Sequence, residues 1–261
     1  MRIGVVIPVH NQGEYFDRCL ASMRESGDDD VRLYVIDAAS RPGEVRMDHA
    51  VFPYRLHRYD VNPGVTKPWN KGLEMALSDG AEVVCIANSD ILWGVETIAR
   101  CAAEAAEHLA AFPLTVESGP APAGFDRMAR LLAYQPDVAL TAQEAELHLQ
   151  GATPRNRSIL LELLVDPTKR VNAPTGGFAG WCFFLSARCM ERAGVFDEQF
   201  VLWYQDNDYL RRLASAGIRP VECRNCLIHH FESKSILGLE DGFDHQGWRE
   251  RDAERWKAKW K

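Results

Sequence analysis

The sequence predicts an α/β fold in which a mixed, mainly parallel central sheet is flanked by helices. Two observations support this fold class. Apolar runs such as RIGVVIPV, VRLYVI and EVVCIA have the length and composition of buried strands. Between them lie amphipathic stretches such as EYFDRCLASMRES, which places Phe16, Leu20 and Met23 on one helical face. Because strands and helices alternate along the chain, we expect parallel strands with helices on both faces of the sheet.

The N-terminal elements follow one another in a regular order. RIGVVIPV leads through the polar HNQGE into the first helix, VRLYVI ends at Asp37 and the turn-rich AASRPGE, and YRLHRY is a third short strand. NPGVTKPWNKGLEMALSDG predicts a loop and then a helix that ends at Gly80. EVVCIA predicts a fourth strand, and GVETIARCAAEAAEHLAAF predicts an alanine-rich helix.

Between about Phe112 and Arg170 the alternation of strands and helices becomes less regular, and we call this the loosened segment. Here PLTVESGPAPAG predicts a loop, FDRMARLLAY a helix, PDVALTA a strand and RSILLELL a helix. GGFAGWCFFLSARCMERAGVFDEQF then predicts a strand, a short helix and a turn, and YQDNDYLRRLASAGI predicts a helix ending at Gly217. VECRNCLIHHF is the last predicted strand. The tail WRERDAERWKAKWK predicts a basic helix whose Trp256 and Trp260 dock on the protein body.

Composition favours a soluble globular protein. The 261 residues are 46% hydrophobic and 26% charged, with a net charge of −7 that gives no global attraction to nucleic acid. No apolar run has the length to cross a bilayer, and MRIGVVIPVH lacks the features of a signal peptide, so we expect a cytoplasmic protein. The seven cysteines are then expected as thiols. Cys223 and Cys226 resemble half of a zinc site, an alternative that we rank below thiols in a strand.

Acidic residues follow two of the predicted strands. Asp37 and Asp90 come directly after VRLYVI and VVCIANS, while Asp206 and Asp208 open a later helix. Carboxylates gathered at one sheet edge repel unless a cation, a proton or a hydrogen-bond donor shares the site. Oxygen ligands of this kind suit Mg²⁺ or Mn²⁺ held together with substrate phosphates. The glycines and helix N-terminus of NPGVTKPWNKG, with Lys67 and Lys71, add features that bind a diphosphate.

These stretches together resemble family 2 glycosyltransferases of the GT-A fold, from Met1 to about Ser235, with rhamnosyltransferase-like members as the nearest type. VVIPVHNQGEYFDRCLASM resembles the opening strand, nucleotide loop and helix, and VIDAAS the second-strand motif. NPGVTKPWNKGLEMA resembles the N-x-G helix opening, and ANSD stands at the metal-binding D-x-D position. GWCFFLSARCMERAGVFDEQFVLWYQDNDYLRRLASAG resembles the acceptor-side block, and IHHFESKS a later histidine motif.

The resemblance implies one inverting glycosyltransferase domain over residues 1–261. It is divided into a nucleotide-sugar-binding half (1–110), an acceptor and catalytic half (111–235) and a helical tail (236–261). Asp206 is expected to be the general base that deprotonates an acceptor hydroxyl. Asp90, with one of His229 and His230, is expected to hold Mn²⁺ or Mg²⁺. Donor-binding residues are expected to be Pro8, Val9, His10, Asp37, Asn62, Gly64, Lys67, Asn70, Asn88 and Ser89, and acceptor-side residues Gly180, Trp181 and Asp208.

Two positions depart from the family pattern. Asn88 replaces the first acid of D-x-D, which puts strict metal dependence in doubt. Gln205 replaces the acid that usually precedes the base, so we expect a lower pKa for Asp206 than a Glu–Asp pair would give. An inactive binding module is therefore one alternative. A sugar nucleotidyltransferase is another, although PVHNQGE lacks the glycine- and arginine-rich loop of those enzymes.

The expected partners are a nucleotide-sugar donor and an acceptor of undecided class. A glycan, a protein and a modified nucleobase all stay open as acceptors, and so does homo-oligomerisation. We expect the segment from Phe112 to Arg170 to shape the choice of acceptor.

Overall fold

The computed structural model describes residues 1–27, 31–48, 52–118, 124–153, 157–231 and 244–261. Its strands are β1 (Ile3–Val9), β2 (Val31–Asp37), β3 (Tyr54–Arg58), β4 (Val83–Ala87), β5 (Ile91–Trp93), β6 (Ala110–Ser118), β7 (Ala173–Pro174), β8 (Cys182–Ser186) and β9 (Val221–Phe231). Its helices are α1 (Gly13–Glu25), α2 (Thr66–Ser78), α3 (Thr97–His108), α4 (Gly124–Ala133), α5 (Ala142–His148), α6 (Arg157–Val165), α7 (Ala187–Ala193), α8 (Gln205–Ser215) and α9 (His245–Lys259).

The strands form one mixed sheet in the order β3-β2-β1-β4-β8-β6-β9-β5, and β7 pairs with β9 beside this path. β3, β2, β1 and β4 run parallel to one another, as predicted for the N-terminal half. β8 is antiparallel to β4 and β6, β5 and β7 are antiparallel to β9, and β6 is parallel to β9. The predicted α/β class with helices around a mixed sheet is therefore confirmed.

The sheet joins the two predicted halves of the chain, because β4 of the first half pairs with β8 of the second. The division at residue 110 stays a prediction. The predicted boundary between residues 235 and 236 lies outside the described residues, as do residues 232–235 of the histidine motif. No helix within the described ranges is long and apolar enough to cross a bilayer.

Helices cover both faces of the sheet because its central strands are apolar on both sides. Val5 and Ile7 of β1 belong to the core that contains α1 and α3, whereas Val6 belongs to the core that contains α2 and α8. This alternation follows from the two-residue repeat of a strand. A third core lies between α4, α5, α6 and the strands β5, β6 and β9. The sheet is thereby fixed on both faces, and its strand ends hold loop residues in defined positions.

Two expectations for the loosened segment were wrong. Residues Ala110–Ser118 form the strand β6, where the sequence predicted the end of a helix and a loop. Pro113 suggested the loop because proline cannot donate to a ladder, but here it lies at the register shift between Pro113 and Leu114 in the pairing with β9. PDVALTA is not a strand, since α5 begins at Ala142. Thr141 caps that helix and forms a capping box with Glu144.

Candidate active site

A cleft of about 610 Å³ opens beside the carboxyl ends of β1 and β4, where ligands bind in open α/β sheets. It receives side chains from both predicted halves and from α9. Its lining residues are Pro8, Val9, His10, Ala38, Asn62, Gly64, Val65, Trp69, Asn88, Asp90, Glu117, Gly180, Trp181, Leu202, Trp203, Tyr204, Gln205, Asp206, Asn207, His230 and Arg249.

The end of β1 forms one wall of the cleft through Pro8, Val9 and His10, and their contact with a donor stays a prediction. The His10 ring is fixed by a contact of 2.6 Å from Nδ1 to the Ala38 carbonyl oxygen. Asn11 follows in the left-handed backbone region with φ 56°. Its side-chain oxygen accepts from the Arg41 backbone N–H at 2.9 Å, and its side-chain nitrogen lies 3.2 Å from His10 Nε2. The backbone after β1 is thus held open toward the cleft.

Asn62 and Gly64, two of the predicted donor-binding residues, line the same cleft. The Asn62 side-chain oxygen accepts a hydrogen bond of 2.9 Å from the Gly64 amide. Gly64 has φ +87°, and a Cβ there would lie 2.4 Å from Val201 Cγ1, so both conformation and space require glycine. The Val65 amide donates to the Val201 carbonyl at 2.8 Å. The loop before α2 is therefore packed against the loop before α8.

Four predicted donor-binding residues do not line the cleft among the described residues. The buried Asp37 carboxylate accepts from the Ser40 amide at 2.8 Å and from the Arg58 guanidinium. Asn70 bonds the backbone of Phe196 and so fixes the turn before α8. Lys67 is exposed on α2, and Ser89 is buried behind Asn88. Asp37 and Asn70 thus support loops, and contact of all four residues with a nucleotide stays a prediction. Lys71, also expected near the diphosphate, pairs with Glu74 at 3.0 Å.

Asn88 and Asp90 reach the cleft after the end of β4. The Asn88 amide donates to the Trp181 carbonyl at 2.8 Å, which joins this turn to the start of β8. Asp90 is 2% exposed, and its Oδ1 lies 3.5 Å from His230 Nε2. Two members of the polar triplet after the apolar run VVCIA, Asn88 and Asp90, thus line the cleft.

The structure separates the two adjacent histidines of β9. His230 lines the cleft, and its ring stacks on Trp181 with centroids 4.8 Å apart. His229 points to the opposite face, where its Nε2 lies 2.7 Å from Ser118 Oγ and 3.3 Å from Arg127 Nη1. Burial and the nearby Arg127 guanidinium hold the pKa of His229 well below its usual range. Of the two histidines left open as a metal ligand, His230 is the one that lines the cleft, and its role as a ligand stays a prediction.

Asp90 and His230 fit a divalent cation that shares its coordination with a substrate. Both ring nitrogens of His230 are buried without a hydrogen-bond partner among the described residues, and a carboxylate oxygen lies beside them. A carboxylate and an imidazole are suitable ligands for Mn²⁺. Within the described ranges, no group of three or more His, Cys, Asp or Glu side chains forms a metal site. A cation here would therefore need ligands from a diphosphate.

Asp206 lies in the first turn of α8 and lines the cleft. Its Oδ1 accepts from the Asn207 amide at 2.9 Å. Burial raises the pKa of Asp206 above the usual 3.8, while hydrogen bonds from backbone amides, including that of Gly180, oppose the shift. Thus desolvation dominates the titration of this carboxyl group, and the comparison with a Glu–Asp pair at Gln205 stays a prediction.

Asp208 points away from the cleft. Its carboxylate is fully buried and accepts from Arg212 Nε at 3.0 Å, Trp260 Nε1 at 2.9 Å and Lys259 Nζ at 2.8 Å. Two of these partners belong to the C-terminal end of the chain, so Asp208 fastens α9 to α8. Asp208 is not among the residues that line the cleft, and its predicted acceptor role stays a prediction.

Gly180 and Trp181, which were expected on the acceptor side, line the cleft together with Asp206. A Cβ at Gly180 would lie 3.0 Å from Asp206 Oδ2 and 3.3 Å from Trp69 Cη2, so a side chain here would crowd the carboxylate. The Trp181 indole donates to Thr115 Oγ1 at 3.0 Å while its ring stacks on His230. Trp181 therefore orients His230 and forms part of the cleft wall.

Glu117, Trp203, Tyr204 and Arg249 are among the lining residues that no sequence pattern had indicated. Glu117 lies in β6, the strand that was predicted as a loop. Arg249 lies on α9, which was expected only to dock, and its guanidinium is 5.2 Å from the Trp203 ring centroid. The basic, tryptophan-rich composition of the tail was the available signal, but composition does not show which side chain faces a cleft.

Cys223 and Cys226 lie buried in β9, as expected for thiols in a strand. They form a cluster with Cys101 of α3, and hydrogen bonding among these thiols lowers the pKa of Cys223 to about 5. This cluster belongs to the core on the α3 face of the sheet.

Among solved structures, this chain is similar in fold to GT-A glycosyltransferases. GalNAc-T7 with UDP, GalNAc and Mn²⁺ is 16% identical with a TM-score of 0.62, and the match covers 88% of this chain and 44% of the GalNAc-T7 chain. The mannosyltransferase PcManGT from Pyrobaculum calidifontis, with GDP-Man and Mn²⁺, is 18% identical with a TM-score of 0.59, covering 97% and 61%. Residues 1–349 of TarS from S. aureus are 16% identical with a TM-score of 0.54, covering 97% and 70%.

The chain thus spans less than two thirds of the first two of these proteins, and at such identities the likeness establishes the GT-A fold alone. No curated protein gives a significant match. The family profile described as Glycosyl transferase family 2 matches residues 4–159, which include β1, the Asn62–Gly64 turn and the Asn88–Asp90 turn. Since this match covers more than half of the sequence, the chain belongs to glycosyl transferase family 2.

Proposed function

We propose that the protein transfers a hexose or 6-deoxyhexose from a nucleotide diphosphate to an acceptor hydroxyl, with inversion at the anomeric carbon. The observation that carries this proposal is the convergence of Asp206, Asp90 and His230 on one cleft at the carboxyl edge of the sheet. A base and a metal-binding pair are the groups that such a transfer needs.

Polar atoms without protein partners support the presence of a ligand in this cleft. The Gln205 side-chain oxygen and the indole N–H groups of Trp69 and Trp203 are buried without hydrogen-bond partners among the described residues, as are the His230 nitrogens. Buried polar groups are nearly always paired in native proteins. Four such residues lining one cleft indicate that a polar ligand, such as a sugar, completes their hydrogen bonds.

In the proposed reaction the acceptor oxygen attacks the anomeric carbon while Asp206 takes the hydroxyl proton. The bond between the anomeric carbon and the diphosphate oxygen breaks, and the nucleotide diphosphate leaves with the bonding electron pair. Asp90 and His230 would hold the divalent cation. When bound, the cation would neutralise the charge that gathers on the leaving diphosphate.

A second cavity supports a glycan as the acceptor. It measures about 470 Å³ and shares Glu117 and Trp181 with the cleft, so the two spaces adjoin. Its other walls combine apolar rings such as Phe112 with charged groups such as Arg224. This mixture suits the apolar faces and hydroxyl groups of a sugar chain. We propose that the acceptor extends from Asp206 past Trp181 into this cavity.

Melting curves with nucleotides test the function first. UDP, GDP, dTDP and CMP should be compared with and without Mn²⁺, since a ligand that binds the folded state raises the melting temperature. One nucleotide should stabilise the protein, and the corresponding nucleotide sugar should be hydrolysed or transferred. Stabilisation without any turnover would favour an inactive binding module. Absence of stabilisation by every nucleotide would contradict the proposal.

We predict that Arg249 contacts the diphosphate, because it is the one Lys or Arg among the described lining residues. Arg249→Ala should weaken nucleoside diphosphate binding by about 10-fold or more, as expected when a charge-assisted hydrogen bond is lost. Arg249→Lys should recover part of the loss. Arg251→Ala is the matched control, since Arg251 pairs with Asp244 outside the cleft. Calorimetric titration with the diphosphate and the free nucleoside measures this, and equal losses for both ligands would refute the contact.

The raised pKa of Asp206 predicts the acid side of the pH profile. A base must be ionised to accept a proton, so activity is present above its pKa and is lost as the pH falls through it. Because burial raises this pKa above 3.8, the loss should begin at a higher pH than an exposed aspartate would give. Measuring kcat/KM between about pH 4 and pH 8 tests this. An acid limb at or below the ordinary value would contradict it.

A further inference from the structure

The C-terminal helix α9 contacts the loop before α8 through a buried carboxylate. Asp252 Oδ2 accepts hydrogen bonds from three consecutive backbone amides, at 3.1 Å from Val201, 2.9 Å from Leu202 and 3.0 Å from Trp203. Asp252 is fully buried, and its other oxygen accepts from Arg255 Nη1 at 2.9 Å. Both oxygens of this buried carboxylate accept hydrogen bonds, and charge-assisted bonds of this kind fix the loop strongly and in a defined direction.

The anchored loop touches both walls of the cleft. On one side the Val201 carbonyl accepts from the Val65 amide at 2.8 Å, and Val201 fills the space beside Gly64. On the other side Leu202, Trp203 and Tyr204 line the cleft and lead directly into Asp206. The position of residues 201–203 therefore sets the distance between the predicted donor side and the predicted base.

Tyr204 shows that this loop carries backbone strain. It has φ 65°, a left-handed conformation that costs a tyrosine energy and persists only where the surroundings enforce it. The Trp256 ring of α9 stacks on Tyr204 with centroids 5.8 Å apart, and Arg255 donates to the Gln199 carbonyl at 2.6 Å. Contacts from α9 thus hold the loop on both sides of the three amides.

We propose that Asp252 is a positioning residue of the active site: its carboxylate fixes residues 201–203 and thereby holds Asp206 against the donor side of the cleft. The proposal rests on the function proposed above, but its structural part is testable without a substrate. On this view α9 is an integral part of the catalytic machinery, and its docking residues act through the loop rather than on the substrate.

The decisive variant is Asp252→Asn, with Glu254→Gln as the matched control. Asparagine has the same shape but turns one oxygen into an NH₂ group, which must then face either the loop amides or Arg255, all of them donors. Glu254 is exposed on the same helix, and its substitution removes the same charge. Asp252→Glu, which keeps the charge, serves as the conservative variant if the asparagine variant does not fold.

Hydrogen exchange followed by mass spectrometry gives the first readout. In the wild type, the amides of 201–203 should exchange slowly, and in Asp252→Asn they should exchange about 10-fold faster or more. The amides of α3 should be unchanged, and Glu254→Gln should match the wild type. Rapid exchange of 201–203 in the wild type, or equal exchange in both proteins, would overturn the proposal.

Turnover gives the second readout. We expect kcat to fall by about 100-fold in Asp252→Asn, the loss typical of a misplacement of about 1 Å. Diphosphate binding should remain detectable, and Asp252→Glu should recover part of kcat. A folded Asp252→Asn with wild-type kcat would refute the positioning role. If the wild type transfers no sugar at all, the proposed function fails, while the exchange result still decides whether Asp252 holds the loop.

Discussion

Replacing Asp206 with asparagine should lower the rate of sugar transfer by about 100- to 10,000-fold, the usual contribution of a positioned general base. The side chains have the same shape, but asparagine cannot take the proton of the acceptor hydroxyl. Single-turnover rates with a saturating donor measure the effect directly. Nucleotide binding should stay near the wild-type value, because the loss concerns proton transfer.

The asparagine variant should also fold normally. Burial raises the pKa of Asp206, which means that the ionised form is disfavoured where it lies, so a neutral side chain of equal size should not lower the melting temperature. Asp137→Asn, at an exposed aspartate outside the cleft, is the control for an effect of charge alone. Transfer by a folded Asp206→Asn within a few-fold of wild type would assign the base to another group.

Removing Asp90 should abolish metal-dependent nucleotide binding. A ligand present at 100 times its Kd stabilises the folded state by about 2.7 kcal/mol, and in a protein of this size that raises the Tm by about 5–10 °C. In Asp90→Ala the shift that depends on Mn²⁺ should disappear, because one of the two expected protein ligands is gone. A shift of wild-type size in this variant would show that the cation is held elsewhere or is not needed.

The two histidines of β9 provide a matched pair for the same measurement. His230→Gln should weaken the metal-dependent shift, since His230 lies beside Asp90. His229→Gln should keep the shift, because His229 faces Ser118 and Arg127 on the other side of the sheet. Equal effects of the two substitutions would contradict the assignment of His230 to the cation.

The histidine pair shows what the two-residue repeat of a strand can predict. Neighbouring residues of a strand point to opposite faces, so the sequence indicates that one of His229 and His230 faces the site. The sequence does not show which of the two histidines faces the site, because this depends on which face of β9 packs against the turn after β4. The pairing of Ile91 with His230 in the antiparallel β5–β9 ladder decides it.

Long-range contacts decided the other differences as well. Lys67 and Asn70 match a family motif, but their side chains are directed by the faces of α2, and Asn70 bonds the backbone of Phe196 far along the chain. Asp208 follows Asp206 by two residues on a helix, which turns it by about 200° away from the cleft. Its burial against Lys259 and Trp260 depends on α9, whose docking site no local pattern shows.

The fold class, the family and the turns that reach the cleft at Pro8–His10, Asn62–Gly64, Asn88–Asp90 and Asp206 could be predicted from the sequence. These follow from short-range patterns: apolar strands, turn glycines and polar residues at strand ends. Three features depended on the tertiary structure: β6 is a strand, His230 rather than His229 reaches the cleft, and Arg249 of α9 lines it. These features arise from contacts between residues distant in sequence, and the energies of such contacts cannot be predicted from any single segment.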